Sequence, residues 1–158
     1  MAGTIRPATK EDISAILDVA EAKREQYQRY QPTSWRKAGD SRAKQEPCLV
    51  SLVENDRIIC RVHESDGVLD GFIFATLVSA PPVYDPGGAV CLIDDFALSD
   101  SAGWSSFGAA LLREVTAEAK WRGAILAVVI SGHRDEPKRS MLAQAGYEIA
   151  SEGHTSRL

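Results

Sequence analysis

The chain contains few of the residues that build disulfide frameworks and metal sites. Its 158 residues include three cysteines (Cys48, Cys60 and Cys91) and three histidines. Three cysteines without a close pair predict neither a disulfide framework nor a zinc site. Each cysteine lies in an apolar stretch, which favours a small buried hydrophobe over a nucleophile. Because no two histidines have the spacing of helical ligands, we expect no metal site.

Long hydrophobic runs and an excess of basic charge are also missing. The longest apolar runs, such as residues 124–130, are far shorter than the ~20 residues of a membrane-spanning helix. The first residues lack the basic-then-apolar pattern of a secretion signal. Eighteen basic and 22 acidic residues give a formal net charge of −4, whereas nucleic-acid-binding proteins are typically basic. We therefore expect a cytoplasmic protein that binds neither nucleic acid nor membranes.

The overall composition is that of an ordinary globular domain. Hydrophobic residues make up 44% of the chain and charged residues 25%, which excludes disordered and fibrous classes. A chain of this length buries a core without disulfides or metals. We expect a single domain over residues 1–158.

Hydrophobic periodicity predicts alternating helices and strands. Thr9 with Asp12 is typical of a helix start, and Asp66-Gly67 of a hairpin turn. Asp135 followed by Pro137 predicts a capped helix. The predicted strands are 4–6, 57–64, 68–78, 89–98, 124–130 (buried on both faces), 147–150 and 155–158. The predicted helices begin near residues 10, 40, 104 and 136.

This element order predicts an α+β fold. Three consecutive strands, 57–98, predict an antiparallel meander, and the later helix–strand alternation adds further strands. The expected architecture is an α/β/α sandwich, in which a mixed, mostly antiparallel sheet of six to seven strands is flanked by about four helices.

Two adjacent aspartates interrupt the apolar segment 90–98. Because side chains alternate along a strand, Asp94 and Asp95 are expected to point to opposite faces. Burying an unpaired carboxylate is costly or raises its pKa, so at least one of them should face a cleft, a partner or solvent. A carboxylate with a raised pKa in a cleft suits general base catalysis. The structural alternative is a strand-end aspartate that binds backbone amides or an arginine.

A loop of small residues, 99–108, connects this strand to the next helix. Free N–H groups and a partial positive charge at a helix N-terminus favour phosphate binding. The hydroxyls of Ser101, Ser105 and Ser106 are further potential donors. The alternative is an ordinary helix start, where serine and glycine are common.

The two segments together resemble the core of the GNAT family of acyl-CoA-dependent acetyltransferases. The resemblance rests on Asp94-Asp95-Phe96, on Leu98, and on Gly103-x-x-Ser106-x-Gly108 followed by Leu111-Leu112. The family often has a carboxylate pair and an aromatic residue on its fourth strand, followed by a Gln/Arg-x-x-Gly-x-Gly/Ala loop and a leucine-bearing helix. The predicted element order also matches the family's fold, so the resemblance covers nearly the whole chain.

The resemblance implies acetyl-CoA as co-substrate. Asp94 falls where several members have a glutamate that acts as general base on the acceptor amine, and Asp95 would hold the substrate ammonium or brace the strand. Loop residues would hold the pyrophosphate, and backbone groups near Phe96 and Leu98 would hold the pantetheine arm. The implied cofactor-binding residues are Phe96, Leu98, Gly103, Trp104, Ser105, Ser106, Phe107 and Gly108.

The chain departs from the family pattern in the loop and in the last predicted helix. Gly103 replaces the glutamine or arginine, and Ser106 replaces the first glycine. Leu142 stands where many members have the tyrosine that protonates the departing thiolate. Either another donor serves, or the thiolate leaves unaided, or the site does not catalyse; by residue type, Tyr84 and Tyr147 are candidate donors.

Three further features have two interpretations each. Trp104 either covers the cofactor or anchors the loop to the core. His133 lies just past a buried strand, where it is either an acid–base group or a solvated loop residue. Lys138 and Arg139, in the first turn of the last helix, either meet the nucleotide end of the cofactor or remain in solvent.

The acceptor site is poorly defined by the sequence. In this fold, acceptor contacts come largely from the first two helices and the hairpin before the catalytic strand. Tyr30, Trp35 and Tyr84 are the candidate residues, and the nearby carboxylates of Glu25 and Asp85 suit a cationic amine.

The sequence therefore supports three functional hypotheses. The first is an acetyl-CoA-dependent N-acetyltransferase that acts on a primary amine of a small molecule or peptide by direct attack in a ternary complex. The second is a catalytically silent acyl-CoA-binding or regulatory domain with the same fold. The third is a purely structural partner module. A homodimer paired through an exposed terminal strand is compatible with each of them.

Overall fold

The computed structural model describes residues 3–158, which form four α-helices and six strands. Two short 3-10 turns, Lys10–Asp12 and Ser101–Ser105, precede α1 and α3. None of the helices in this part of the chain is long and apolar enough to cross a membrane. In chain order the elements are β1 Thr4–Pro7, α1 Ile13–Tyr30, α2 Ser41–Val53, β2 Ile58–Ser65, β3 Val68–Val78, β4 Ala89–Ile93, β5 Phe96–Leu98, α3 Phe107–Trp121, β6 Ala124–Val129 and α4 Glu136–Gln144.

One mixed sheet contains all six described strands. Five of them lie in the order β1-β2-β3-β4-β6, and the sixth, β5, pairs with β3. Only β4 and β6 pair in parallel; every other pair is antiparallel. β5 pairs with the first half of β3, and β4 pairs with its second half. The expected α+β sandwich, with a mostly antiparallel sheet between helices, is confirmed.

Two hydrophobic cores hold the layers together. The apolar faces of α1 and α2 pack on one side of the sheet around Leu17, Leu49 and Phe72. The apolar faces of α3 and α4 pack on the other side around Leu111, Met141 and the strand residues between them. Side chains of consecutive strand residues point to opposite faces, so the same strands supply both cores.

Local sequence preferences explain several boundaries. Thr9 and Asp12 form a capping box before α1, with the Thr9 N–H donating to the Asp12 carboxylate over 2.8 Å. Asp66 and Gly67 both have positive φ, 51° and 77°, and close the two-residue turn between β2 and β3. This geometry is that of a type I′ hairpin turn, which Asp-Gly favours.

The predicted strand 89–98 is two strands rather than one. Asp94 and Asp95 separate β4 from β5, because carboxylates fit poorly in a strand buried on both faces. The following helix begins later than expected, at Phe107, because residues 101–105 form a 3-10 turn instead.

Three other expectations about the chain are wrong. Residues 147–150 and 155–158 form no strands and pair with no other strand in the described chain. β6 is not buried on both faces: its outer edge is unpaired within residues 3–158, and Ile125 and Leu126 are about half exposed. Cys60 and Cys91 are buried as expected, but Cys48 is exposed.

Candidate functional site

A cleft opens where β5 diverges from β6. β6 follows β4 as far as Ile93, whose carbonyl accepts the Ile130 N–H over 2.9 Å. β5 continues without β6, so one of its edges is open. The backbone groups of Asp95 and Ser99 point towards β3. The Asp95 carbonyl accepts the Phe74 N–H, and the Ser99 N–H donates to the Asp70 carbonyl. By alternation, the backbone groups of Phe96 and Leu98 point away from β3, to the open edge.

The open edge forms one wall of a cleft of about 310 Å³. Its walls come from α1, from β5 and the start of the following loop, and from the N-terminus of α4. Two basic side chains of α1, Lys23 and Arg29, line it, together with Trp104 and Asp135. The two strands that diverge thus produce a polar cleft, and one side of it is a strand edge that pairs with no other strand in residues 3–158.

Trp104 is buried, with 6% of its surface exposed, and its ring meets the Phe96 ring edge-on at 4.8 Å between centroids. Of the two interpretations of this residue, the anchor is the one that matches its burial. The ring nevertheless lines the cleft. Trp104 therefore fixes the loop before α3 to the inner end of β5.

The two glycines of the loop are required by packing. A Cβ on Gly103 would overlap the Phe107 ring, 2.1 Å away, and a Cβ on Gly108 would lie 3.0 Å from Trp104 and 3.1 Å from Leu98. Ser105 and Ser106 are exposed, and the Ser106 hydroxyl donates to the Gly103 carbonyl. The first N–H groups of α3 have no partner inside the helix, as at any helix start.

The two adjacent aspartates differ in exposure. Asp94 is exposed, whereas Asp95 is half-buried. Burial raises the pKa of the Asp95 carboxyl above its ordinary value, and the nearby Lys23 ammonium partly opposes this effect. Since a carboxylate with a raised pKa binds protons more strongly, Asp95 is better suited than Asp94 to act as a base.

Lys138 is the most unusual residue of the site. Its side chain is fully buried, against the expectation that it lies in solvent or meets a nucleotide. Among residues 3–158 its ammonium has one hydrogen-bond acceptor, the Phe96 carbonyl at 3.1 Å, and no ion-pair partner. It lies 5.3 Å from the centre of the Phe96 ring and 5.4 Å from that of Trp104. Burial lowers the pKa of Lys138 to about 7, assisted by repulsion from Lys23.

A hydrogen bond joins α1 to the start of α4 across the cleft. The Tyr27 hydroxyl donates to the Asp135 carboxylate over 2.6 Å and accepts the Gly132 N–H over 3.1 Å. Burial, followed by the Asp135 interaction, raises the pKa of Tyr27. Asp135 precedes α4 as predicted, but its carboxylate binds Tyr27 instead of capping the helix.

The candidate acceptor residues are only partly brought together. The Tyr27 ring contacts Tyr30 at 5.6 Å and Trp35 at 5.0 Å, forming an aromatic cluster at the C-terminal end of α1. Tyr84 is 72% exposed in the loop between β3 and β4 and makes no ring contact with this cluster. His133 is exposed, which fits a solvated loop residue.

Sequence reasoning missed the burial of Lys138 and the hydrogen bond from Tyr27 to Asp135. Lys138 lies in the polar stretch Glu136-Pro137-Lys138-Arg139, which resembles the exposed first turn of any helix. Only the packing of α4 against the 3-10 turn at residues 101–105 buries it. Tyr27 lies beyond the buried apolar residues of α1, so the hydrophobic periodicity gives little indication of where its side chain points.

No family model and no curated protein matches the sequence. Similarity to solved structures is extensive, however. A variant of protein BH1408 from Bacillus halodurans superposes with a TM-score of 0.84 at 12% identity, covering 98% of this chain and 99% of that one. A predicted acetyltransferase from Clostridium acetobutylicum, solved with acetyl-CoA, gives 0.74 at 14% identity and covers 99% and 96% of the two chains.

An aminoglycoside 6′-N-acetyltransferase from Acinetobacter baumannii gives a TM-score of 0.70 at 10% identity, covering 99% of this chain and 98% of that one. Identities this low establish architecture and leave chemistry to the residues of the site. The chain adopts the fold of the GNAT acetyltransferases.

Proposed function

We propose that this protein is an acetyl-CoA-dependent N-acetyltransferase that acts in the cytoplasm on a primary amine of a small molecule or peptide. The observation that carries the proposal is the open edge of β5, where the Phe96 N–H and the Leu98 peptide groups face a cleft. The half-buried Asp95 immediately precedes Phe96. Unpaired strand edges bind extended amide-containing chains through their backbone groups. A pantetheine arm is such a chain, so these residues fit acetyl-CoA.

The site residues have distinct roles in this proposal. Acetyl-CoA supplies an activated acyl group. Asp95 removes the proton of the acceptor amine, through a water where its short side chain does not reach. A backbone N–H on the β5 edge stabilises the oxyanion that forms on attack. Residues 103–108 bind the pyrophosphate at the start of α3, and the aromatic cluster of Tyr27, Tyr30 and Trp35 receives the cationic acceptor.

Calorimetric titration with acetyl-CoA tests this proposal directly. We expect saturable 1:1 binding of acetyl-CoA and CoA, and no comparable binding of ATP, which lacks the pantetheine arm. A protein that is folded by circular dichroism and yet does not bind either CoA compound contradicts the proposal.

The position of the pyrophosphate is tested at Gly108 with a charge-matched pair of variants. Gly108→Glu and Gly108→Gln introduce the same strain against Trp104, because the two side chains have almost the same shape. Only the glutamate repels a nearby phosphate, so we expect acetyl-CoA to bind Gly108→Glu roughly tenfold or more weakly than Gly108→Gln. Equal dissociation constants in the two variants, measured by calorimetry, place the pyrophosphate elsewhere.

A second candidate function is a domain that binds acyl-CoA without transferring the acyl group. Leu142 favours it, because this residue is buried and its side chain has no proton to donate. The candidates differ in turnover: incubation of the protein with acetyl-CoA and a panel of primary amines releases free CoA thiol only if transfer occurs. Release above that of a protein-free control rejects the silent domain.

A further inference from the structure

Lys138 has no role in the proposed function so far, although its position is energetically unfavourable. A buried ammonium without a counter-ion destabilises a fold, and a methionine of similar length would fill the same space without charge. Its three N–H donors have a single acceptor, the Phe96 carbonyl, within residues 3–158. Buried, unpaired cations of this kind are concentrated at functional sites.

The contact with Phe96 places the buried ammonium against the open edge of β5, next to residues that line the cleft. The N–H and C=O of one extended residue point to the same side, so Lys138 Nζ lies next to the Phe96 N–H on the open edge of β5. If the acyl carbonyl accepts a hydrogen bond from that N–H, the acyl group lies against the residue whose carbonyl Lys138 binds. The two rings beside the ammonium, Phe96 and Trp104, both line the cleft.

We propose that Lys138 stabilises the thiolate that departs from acetyl-CoA and supplies the proton with which it leaves as a thiol. The inference rests on the proposed function. The amine nitrogen forms its bond to the acyl carbon, the C–S bond breaks, and its electron pair remains on sulfur. Lys138 gives one proton to sulfur, and Asp95 receives one from the amine. The starting state is restored when Lys138 takes up a proton again and Asp95 releases the one it received.

The surroundings of Lys138 suit this role. Lys23 on α1 is a second cation near it, and Asp94, Asp95 and Asp135 are the facing carboxylates, none of them in an ion pair with Lys138. The ammonium therefore retains donors that are not committed to a carboxylate. Its lowered pKa, about 7, makes it a stronger acid than an ordinary lysine, so it donates a proton more readily near neutral pH.

The ionisation of bound CoA tests the inference without any acceptor amine. The ultraviolet absorbance of the thiolate is followed against pH for CoA bound to the wild-type protein, with the desulfo-CoA complex as a blank that removes the protein's own tyrosines and cysteines. We expect a thiolate-to-thiol ratio at least tenfold higher for bound CoA than for free CoA at the same pH. Lys138→Met should return the ratio to that of free CoA.

Two further variants make the result specific. Lys120→Met removes an exposed lysine at the end of α3 and should behave like the wild type. Lys138→Gln removes the charge but keeps a donor for the Phe96 carbonyl, so it should behave like Lys138→Met. Equal ratios in the wild type and both Lys138 variants overturn the inference while leaving CoA binding intact.

The remaining outcomes are also decisive. Loss of CoA binding in both Lys138 variants overturns the assignment to sulfur, because Lys138 is then an anchor for the ligand as a whole. If CoA does not bind the folded wild-type protein, the proposed function fails and the inference fails with it.

Discussion

Replacing Asp95 with asparagine should lower kcat for acetyl transfer by roughly 100-fold or more, the usual contribution of a general base. Asparagine keeps the size of the side chain but cannot accept the proton of the amine. The affinity for acetyl-CoA should be unchanged, because the ligand contacts on β5 come from backbone groups. The measurement is release of CoA thiol with a primary amine from the acceptor panel, combined with calorimetry of acetyl-CoA.

Matched variants separate this effect from a general loss of acidic charge. Asp94→Asn should lower kcat less than Asp95→Asn, because burial raises the pKa of Asp95, whereas the Asp94 side chain is exposed. Asp66→Asn lies in the β2–β3 turn, where asparagine tolerates the positive φ, and should leave kcat unchanged. A larger loss in Asp94→Asn than in Asp95→Asn assigns the base to Asp94, as the family resemblance implies.

The wild-type protein should become more stable between pH 7 and pH 9, and Lys138→Met should abolish most of this gain. An ordinary lysine, as in the unfolded chain, stays protonated up to a pKa of 10.5, whereas the folded pKa of Lys138 is about 7. The unfolded chain therefore binds more protons in this window, and the free energy of unfolding rises with pH. For a fully buried group with this shift, the gain is about 2 kcal/mol.

Urea unfolding at pH 7, 8 and 9 measures this effect. At pH 7 Lys138→Met should be more stable than the wild type, because it removes a buried charge without a partner. Lys120→Met serves as the exposed control and should retain the wild-type slope. Burial raises the pKa of the Cys60 and Cys91 thiols, which lowers stability above pH 9, so the comparison ends there. A wild-type stability that is flat or falls from pH 7 to pH 9 contradicts the assignment.

The sequence predicts those parts of the fold that depend on local chemistry. Asp66-Gly67 predicts a tight hairpin because few other pairs tolerate two positive φ angles, and that turn is present. The apolar stripe of α3 likewise predicts its buried face. The terminal strands are wrong because alternation alone provides no pairing partner. The apolar run 124–130 predicts a strand buried on both faces. An edge strand of a mixed sheet has the same pattern, and β6 is such a strand.

The candidate site is less accessible to sequence reasoning than the fold. The adjacency of Asp94 and Asp95 in an apolar run marks them as unusual, but the pattern predicts one continuous strand and not the break that the structure shows. The difference between them does not follow from the sequence either, because it depends on how α1 covers Asp95. Lys138 is the clearest case. Its burial results from the packing of α4 against the 3-10 turn at residues 101–105, more than thirty residues earlier in the chain. The polar residues next to Lys138 in the sequence do not indicate this contact.

The hydrogen bond between Tyr27 and Asp135 has a consequence for synthesis of the protein on the ribosome. It joins residues 108 positions apart, so the cleft is closed by a contact of high sequence separation. The first helix and the hairpin emerge well before Asp135, and during that interval one wall of the cleft has no partner. The side of the domain that carries the cleft is thus completed last, after the chain has been translated beyond Asp135.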